Sequence, residues 1–148
     1  MQTKAEKATE LFSKGYNCAQ SVFGAFCEDN GLDLETALKI ACGFGGGAIR
    51  YNQTCGAISG GVMVIGLKCG HYKTGDNEAK QKCYQKTKEY TDKFKETLGC
   101  IKCCELLGMT EPVRIEMEND PVKMKSIYHP QCEKFIKTAI QILETMEY

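Results

Sequence analysis

The sequence contains no tryptophan, only three prolines and only two histidines among its 148 residues. Without tryptophan, and without basic and aromatic residues that alternate, it shows no sign of a surface on which nucleic-acid bases stack. Its 19 lysines and arginines balance 19 aspartates and glutamates, so the formal net charge is zero. A chain with balanced charge has no general attraction for nucleic acid or for an anionic membrane. We therefore expect a partner that is recognised by other means.

Long hydrophobic runs are also missing. The most apolar stretch, residues 57–67, is too short and too rich in glycine to cross a bilayer. The first residues, "MQTKAEKATELF", lack both the apolar centre of a secretory signal and the paired arginines of a twin-arginine signal. The sequence therefore predicts a cytoplasmic protein that does not insert into membranes.

No hydrolytic or acid–base arrangement stands out in the sequence. There is no serine elbow, and "GFGGG" at residues 43–47 lacks the lysine and the preceding strand of a phosphate-binding loop. The acids Glu116, Glu118 and Asp120 fall in a segment that we predict to be a solvated loop. The sequence therefore leaves open whether the protein is an enzyme, and it predicts no catalytic residue.

Apolar residues recur at three-to-four spacing through most of the chain, which predicts helices almost throughout. Asn17 is predicted to cap a helix, with Gln20 at the reciprocal position of a capping box, and Asp33 is predicted to cap the next helix. Helix starts are predicted at residues 3, 17, 33, 54, 76 or 77, 100 and 130. The predicted fold is all-α: a compact single-domain bundle of about six or seven helices over residues 1–148.

Two details of the prediction concern the second half of the chain. Residues 109–128 contain two prolines and few apolar residues, which favours an irregular connection, and Pro130 is predicted to open the last helix. The inward face of the long helix at 76–98 is predicted to carry five residues at three-to-four spacing: Tyr84, Thr87, Thr91, Phe94 and Leu98.

The ten cysteines are the main chemical feature, because thiols at this density in a reducing compartment more often bind metal or carry out redox chemistry than form structural disulfides. Four of them fall at or near predicted helix starts: Cys18, Cys55, Cys103 and Cys132. Free amide donors at helix N-termini favour a thiolate, so convergence of such ends would create a site for a cation or a cluster. Gly56 would allow backbone or cofactor to approach Cys55 closely. The alternative is that these cysteines are simply small buried residues.

The other six cysteines are weaker candidates. Cys100 and Cys103 form a C-x-x-C, but a thioredoxin-like dithiol needs a βαβ setting that the sequence does not predict. Cys100 and Cys104 remain accessory candidates, as does Cys42 beside the glycine-rich turn. The remaining three are interpreted as packing or accessory thiols: Cys27, Cys69 and Cys83. Paired knuckles of a zinc finger are missing, and neither His71 nor His129 has a predicted partner.

Five segments together resemble the C_GCAxxG_C_C family of small redox-active proteins. The matching segments are "GYNCAQSV" (15–22), "GFGGG" (43–47), "CGAISGG" (55–61), "CCELLG" (103–108) and "CEKFI" (132–136). The resemblance implies that the four cysteines of the family correspond to Cys18, Cys55, Cys103 and Cys132. It also implies a redox function, genes that lie near those of transporters and oxidoreductases, and a bound prosthetic group such as an iron–sulfur cluster. This chain departs from some members in lacking an export signal, and it has six further cysteines.

Three functions remain open at this point. The first is an iron–sulfur cluster, held by the four thiolates, that passes electrons to an unknown redox partner. The second is a cofactor-free dithiol, with Cys55 and Cys18, or Cys103 and Cys132, as candidate pairs. The third is a zinc-binding module of four cysteines that serves a transporter-associated protein. The sequence does not predict the oligomeric state.

Overall fold

The computed structural model describes residues 1–48 and 53–148, and in these ranges the chain is all-α. The eight helices are α1 (Lys4–Ser13), α2 (Cys18–Phe26), α3 (Leu34–Ala41), α4 (Gly56–Cys69), α5 (Asn77–Leu98), α6 (Cys103–Leu106), α7 (Glu111–Asn119) and α8 (Pro121–Thr145). Short 3-10 turns follow α2 and α3. No strand occurs within the described ranges, where the only β-type pairing is one isolated antiparallel bridge between Thr54 and Lys102. The predicted fold class is confirmed.

Local capping chemistry sets several helix starts. The Asn17 side chain accepts a hydrogen bond from the Gln20 backbone at 2.9 Å, and the Gln20 side chain accepts one from the Asn17 backbone at 2.9 Å. This is the predicted capping box, which satisfies two amide donors that the helix itself leaves free. Asp33 caps α3 and Asp76 caps α5 in the same way, each through its side-chain carboxylate.

Helix α2 lies at the centre of the fold, and every residue from Ala19 to Phe26 is buried. Helices α1, α3, α4 and α8 all pack against it. The approach of α4 is especially close, because a Cβ added to Gly60 would lie 2.6 Å from the Ala19 carbonyl oxygen. Glycine in α4 therefore permits contact between two helix backbones.

Helix α5 packs on the other side of α4, through a face that includes the predicted Phe94 but not the predicted Tyr84. Tyr90 and Phe94 are fully buried, whereas Tyr84 is 58% exposed. Tyr90 was not among the predicted inward residues. Its hydroxyl lies directly over Gly61, where an added Cβ would be 2.2 Å from the oxygen. The missing side chain at Gly61 creates the space that the Tyr90 ring occupies, which explains why this tyrosine faces inward.

The prediction for residues 109–128 is wrong, because α7 and the first turns of α8 occupy this segment. Pro112 and Pro121 lie in the first turns of these helices, where a proline loses no helical hydrogen bond. Pro130 does not open the last helix but lies inside α8. It offers no N–H to the carbonyl of Ser126, and both residues are exposed, so water can bond to that carbonyl.

The apolar residues that recur at three-to-four spacing in the last helix face the core. Phe135, Ile136, Ala139, Leu143 and Met146 are all buried. His129, which precedes the predicted start of the last helix at Pro130, lies within α8 and stacks on the Phe12 ring with 4.5 Å between ring centres. Within the described part of the chain, no helix is both long enough and apolar enough to span a membrane.

Candidate functional site

Cys18 is the first residue of α2, directly after the capping residue Asn17. The Asn17 side chain also donates a hydrogen bond of 2.9 Å to the carbonyl of Cys42. A Cβ on Gly45 would lie 2.5 Å from the amide nitrogen of that side chain. The glycine-rich turn is therefore packed directly against the residue that starts α2, and this contact fixes the position of Cys18.

Cys55 is the N-cap of α4, one residue later than the predicted start at Thr54, and it is 2% exposed. Its backbone N–H donates a hydrogen bond of 2.7 Å to the carbonyl of Ile101, and the N–H of Cys103 donates one of 2.6 Å to the carbonyl of Gln53. These bonds flank the bridge between Thr54 and Lys102. They hold the start of α4 beside the start of α6, whose first residue is Cys103.

Cys132 lies well inside α8, so the prediction that it sits in the first turn of a helix is wrong. The reason is that α8 begins at Pro121 rather than at Pro130. Its thiol is hydrogen-bonded to the thiol of Cys18. The thiols in direct contact are therefore Cys18 and Cys132, which is neither of the two pairs suggested by the sequence.

The four thiols lie close enough to change one another's ionisation. The hydrogen bond that Cys18 donates to Cys132 raises the pKa of Cys18 well above its ordinary value, and burial raises it further. The same bond lowers the pKa of Cys132, against the effect of burial. The negative charges that Cys55, Cys103 and Cys132 would carry as thiolates also raise the pKa of Cys18. Residues distant in sequence thus share one electrostatic environment.

At the two most deeply buried sulfurs, burial raises the thiol pKa by more than the amide groups of the helix N-termini lower it. It raises the pKa of Cys55 to about 12, although hydrogen bonds from the backbone N–H groups of Ala57 and Ile58 act in the opposite direction. Burial likewise raises the pKa of Cys103, and the neighbouring sulfurs add to the shift. The expectation that helix starts make these thiols acidic is therefore wrong for the protein with free thiols, because removal from water costs more than the amide donors return.

Gly56 has the close contacts expected of it. A Cβ at this position would lie 3.0 Å from the Cys18 Cβ and 3.0 Å from the Ala19 backbone nitrogen. Any side chain at position 56 would push the start of α4 away from the start of α2. Gly56 therefore maintains the separation between the backbones that carry Cys55 and Cys18.

Tyr90 supports Cys55 through the backbone of α4. Its hydroxyl donates a hydrogen bond of 2.7 Å to the carbonyl of Ala57. The N–H of the same residue, Ala57, donates to the sulfur of Cys55. Tyr90 thus fixes the turn whose amide groups bind that sulfur, and it is a residue of the site that the sequence analysis missed.

We expect Tyr90→Phe to lower the free energy of unfolding by about 1–2 kcal/mol, because one buried hydrogen bond is lost while the ring remains. The first turn of α4 should also loosen, so that iodoacetamide alkylates Cys55 several-fold faster. Urea unfolding and peptide mass spectrometry measure the two effects. Tyr84→Phe, at an exposed tyrosine of the same helix, is the matched control and should change neither. Equal behaviour of the two variants would contradict the role of Tyr90.

The sulfur donors suit a thiophilic metal, but their arrangement is not that of a site for a single ion. Among the side chains that the structure describes, no three of His, Cys, Asp or Glu are grouped to hold one metal ion. Tetrahedral zinc needs four sulfurs at about 2.3 Å from one centre, so the thiols would have to move closer together to bind it. In an iron–sulfur cluster different irons bind different cysteines, which does not require all ligands to meet at one ion.

The accessory cysteines are spread around this group. Cys100 acts electrostatically on Cys55, and Cys104 acts on Cys103. Cys42 is exposed at the start of the 3-10 turn that follows α3. Cys100 and Cys104 therefore lie next to the four candidate site cysteines. Cys42 is connected to them through its backbone carbonyl, which accepts a hydrogen bond from the Asn17 side chain.

The three cysteines interpreted as packing residues behave differently from one another. Cys27 is fully buried and donates a hydrogen bond of 3.4 Å to the carbonyl of Gly24, as a packing residue would. Cys69 and Cys83 are half-buried, and the Cys83 thiol lies close enough to raise the pKa of the Cys69 thiol. The sequence analysis missed this second thiol pair, because no short spacing motif links the two residues.

Comparison with known proteins places the chain in a family. The family model described as "Putative redox-active protein (C_GCAxxG_C_C)" matches residues 16–146. The chain belongs to this family. No curated protein and no solved structure matches it significantly. The C_GCAxxG_C_C match covers the four helices and turns that carry Cys18, Cys55, Cys103 and Cys132.

Proposed function

We propose that this C_GCAxxG_C_C protein transfers electrons through a redox site formed by Cys18, Cys55, Cys103 and Cys132. The observation that carries the proposal is the hydrogen bond between the thiols of Cys18 and Cys132. Two thiols whose sulfurs are neighbours can be oxidised to a disulfide without a large movement of the backbone. Cys55 and Cys103 lie beside this pair and add to the negative charge that develops there when thiols ionise.

The proposed reaction is thiol–disulfide exchange with a disulfide of a partner protein. The Cys132 thiolate, which accepts the hydrogen bond from Cys18, attacks one partner sulfur, and the other partner sulfur leaves as a thiolate. The Cys18 thiol then loses its proton to that leaving thiolate and attacks the Cys132 sulfur. This attack breaks the mixed disulfide and releases the attacked partner sulfur as a thiolate, which takes its proton from water. The partner therefore receives two electrons and two protons in total, one proton from Cys18 and one from water, and a disulfide joins Cys18 to Cys132. The partner itself, whether an oxidoreductase or a transporter-associated protein, is part of the proposal.

A second candidate function is one-electron transfer by an iron–sulfur cluster, and a specific observation favours it. The backbone N–H groups of Ala57 and Ile58 both act on the Cys55 thiol by lowering its pKa, and N–H groups beside a ligand sulfur tune the potential of a cluster. Cys18, Cys55, Cys103 and Cys132 would be the ligands. The cluster would supply reversible one-electron chemistry, while the surrounding helices would exclude water and hold the sulfurs in place.

One experiment separates these possibilities. The protein is purified without oxygen, with and without iron and sulfide reconstitution, and its iron, zinc, sulfide and visible absorption are measured. A redox titration then follows, with peptide mass spectrometry. If the dithiol proposal is right, metal-free protein shows a two-electron transition, and a disulfide joins the tryptic peptides 15–39 and 126–134. Cys132→Ser abolishes the link between the peptides 15–39 and 126–134 together with its transition, while Cys42→Ser, at an exposed thiol, retains both.

The other outcomes each decide against the dithiol. Bound iron and sulfide, with visible absorption that disappears in all four cysteine variants, would establish the cluster instead. Bound zinc without any redox transition would favour a metal-binding module. A protein that binds no metal and forms no disulfide between Cys18 and Cys132 would overturn both redox candidates.

A further inference from the structure

A second pair of thiols lies at the far end of α4 from Cys55. Cys69 is the last residue of α4, and Cys83 lies in the second turn of α5. The Cys83 thiol lies close enough to Cys69 to raise the pKa of the Cys69 thiol, which itself donates a hydrogen bond of 3.4 Å to the carbonyl of Ile65. Both residues are half-buried, so solvent and small molecules can reach them.

The packing of the two helices accounts for this contact independently. Tyr90 of α5 lies against Gly61 of α4. Cys69 comes eight residues after Gly61, and Cys83 comes seven residues before Tyr90. Two helical turns cover about 11 Å in either helix. In an antiparallel pair, the register that places Gly61 against Tyr90 therefore also places Cys69 opposite Cys83.

The charge around the pair indicates what could react with it. Lys82 and Lys86 both act on Cys69 by favouring its thiolate, although burial and the neighbouring Cys83 raise its pKa overall. Lys86 lies 3.5 Å from the Glu89 carboxylate, which compensates part of its charge. Two lysines beside a half-exposed sulfur pair suit a small disulfide that carries carboxylates.

We propose that Cys69 and Cys83 form a second, reversible dithiol–disulfide site that reacts with anionic low-molecular-weight disulfides. One of the two thiolates attacks a sulfur of the small disulfide, and one thiolate of the small molecule leaves. The second cysteine gives up its proton and attacks the mixed disulfide, which releases the other half of the small molecule as a thiol. The small disulfide is reduced by two electrons, and a disulfide links α4 to α5. This site does not depend on the four-cysteine site.

The test uses oxidised glutathione as the probe on the full-length reduced protein, followed by alkylation of free thiols and tryptic digestion without reduction. Cleavage after lysine places Cys69 in the peptide 69–73 and Cys83 in the peptide 83–86. We expect these two short peptides to appear linked to each other, with the loss of two free thiols. Excess dithiol reductant should restore both thiols.

Three variants make the outcome specific. In Cys69→Ser and in Cys83→Ser, the remaining cysteine should retain one glutathione as a stable mixed disulfide, because no partner resolves it. Cys132→Ser should form the link between 69–73 and 83–86 as readily as the unmodified chain. The second site can therefore be tested even if the proposed function of the first site fails.

Two results would overturn the proposal. The first is glutathione attached to Cys69 or Cys83 in the unmodified chain without a link between them. The second is a link that forms but lowers the urea midpoint of unfolding, which would show that the native fold must distort to close it. A pair already in contact should instead raise that midpoint when the loop between residues 69 and 83 is closed.

Discussion

The Gly60→Ala variant is expected to lose about 3 kcal/mol of stability towards urea unfolding. An added Cβ would lie 2.6 Å from the carbonyl oxygen of Ala19 and 3.1 Å from its Cα. Both atoms belong to the backbone of α2, so no side-chain rotation can relieve the clash, and α4 must move as a whole. Overpacking of this kind costs about 1–3 kcal/mol, occasionally more. We place this variant at the upper end because backbone opposes backbone.

Gly66→Ala is the matched control, because it makes the same change in the same helix. Gly66 is exposed, and nothing lies within 4 Å of the added Cβ. Replacing a helical glycine by alanine without a clash should stabilise the protein by about 1 kcal/mol. The two variants should therefore move the urea midpoint in opposite directions. A Gly60→Ala protein that gains stability as Gly66→Ala does would show that α2 and α4 are not in backbone contact.

The Gly60→Ala variant should also affect the candidate site. Gly60 lies one turn after Gly56, and both glycines face the first turn of α2. A displacement of α4 at Gly60 would separate the helix ends that carry Cys18 and Cys55. We therefore interpret the glycines of α4 as residues that fix the distance between sulfurs as well as residues of the core.

Local chemistry explains which parts of this fold the sequence predicts correctly. The caps at Asn17, Asp33 and Asp76 depend on a side chain that reaches an amide two or three residues away, so neighbouring residues suffice to predict them. The apolar face of α8 from Phe135 to Met146 follows in the same way from three-to-four spacing. Helix content and the helix starts in the first half of the chain therefore needed no tertiary information.

The errors come from features that depend on tertiary contacts. Two prolines suggested an irregular segment between residues 109 and 128, yet both occupy first turns of helices. Pro130 suggested a helix start, yet it is tolerated inside α8, where its missing hydrogen bond faces solvent. The position of Cys132 inside α8 follows from this error. Local spacing also could not show that Tyr90 rather than Tyr84 faces the core, because the space for its ring is made by Gly61 in another helix.

The contacts between sulfurs are the part that the sequence leaves most open. Cys18 and Cys132 come together because α8 packs on α2, and Cys69 meets Cys83 because α4 and α5 are antiparallel neighbours. Neither contact has a local motif. The family resemblance did single out the four cysteines that share one electrostatic environment, but it did not indicate which pair of thiols is in contact.

The reduced, metal-free protein is expected to lose stability as the pH rises above about 9, and Cys55 should be a large contributor. Burial raises the pKa of this thiol from 9.0 in an exposed chain to about 12 in the fold. Between these values the unfolded chain releases the proton and the folded chain keeps it, so the folded state binds more protons. The free energy of unfolding then falls with pH by about 1.4 kcal/mol per unit for one such group.

The stability that the protonated Cys55 thiol contributes is therefore fully present below pH 9 and is lost as the pH approaches 12. The total loss in the free energy of unfolding is about 4 kcal/mol. The raised pKa values of Cys18 and Cys103 act in the same direction. Urea unfolding across this pH range measures the slope. Cys55→Ala should make the slope shallower, whereas Cys42→Ala, at an exposed thiol, should leave it unchanged. A slope that is the same in both variants would mean that the Cys55 thiol is not held away from water in the folded protein, and the enclosed four-cysteine site would then lose its physical basis.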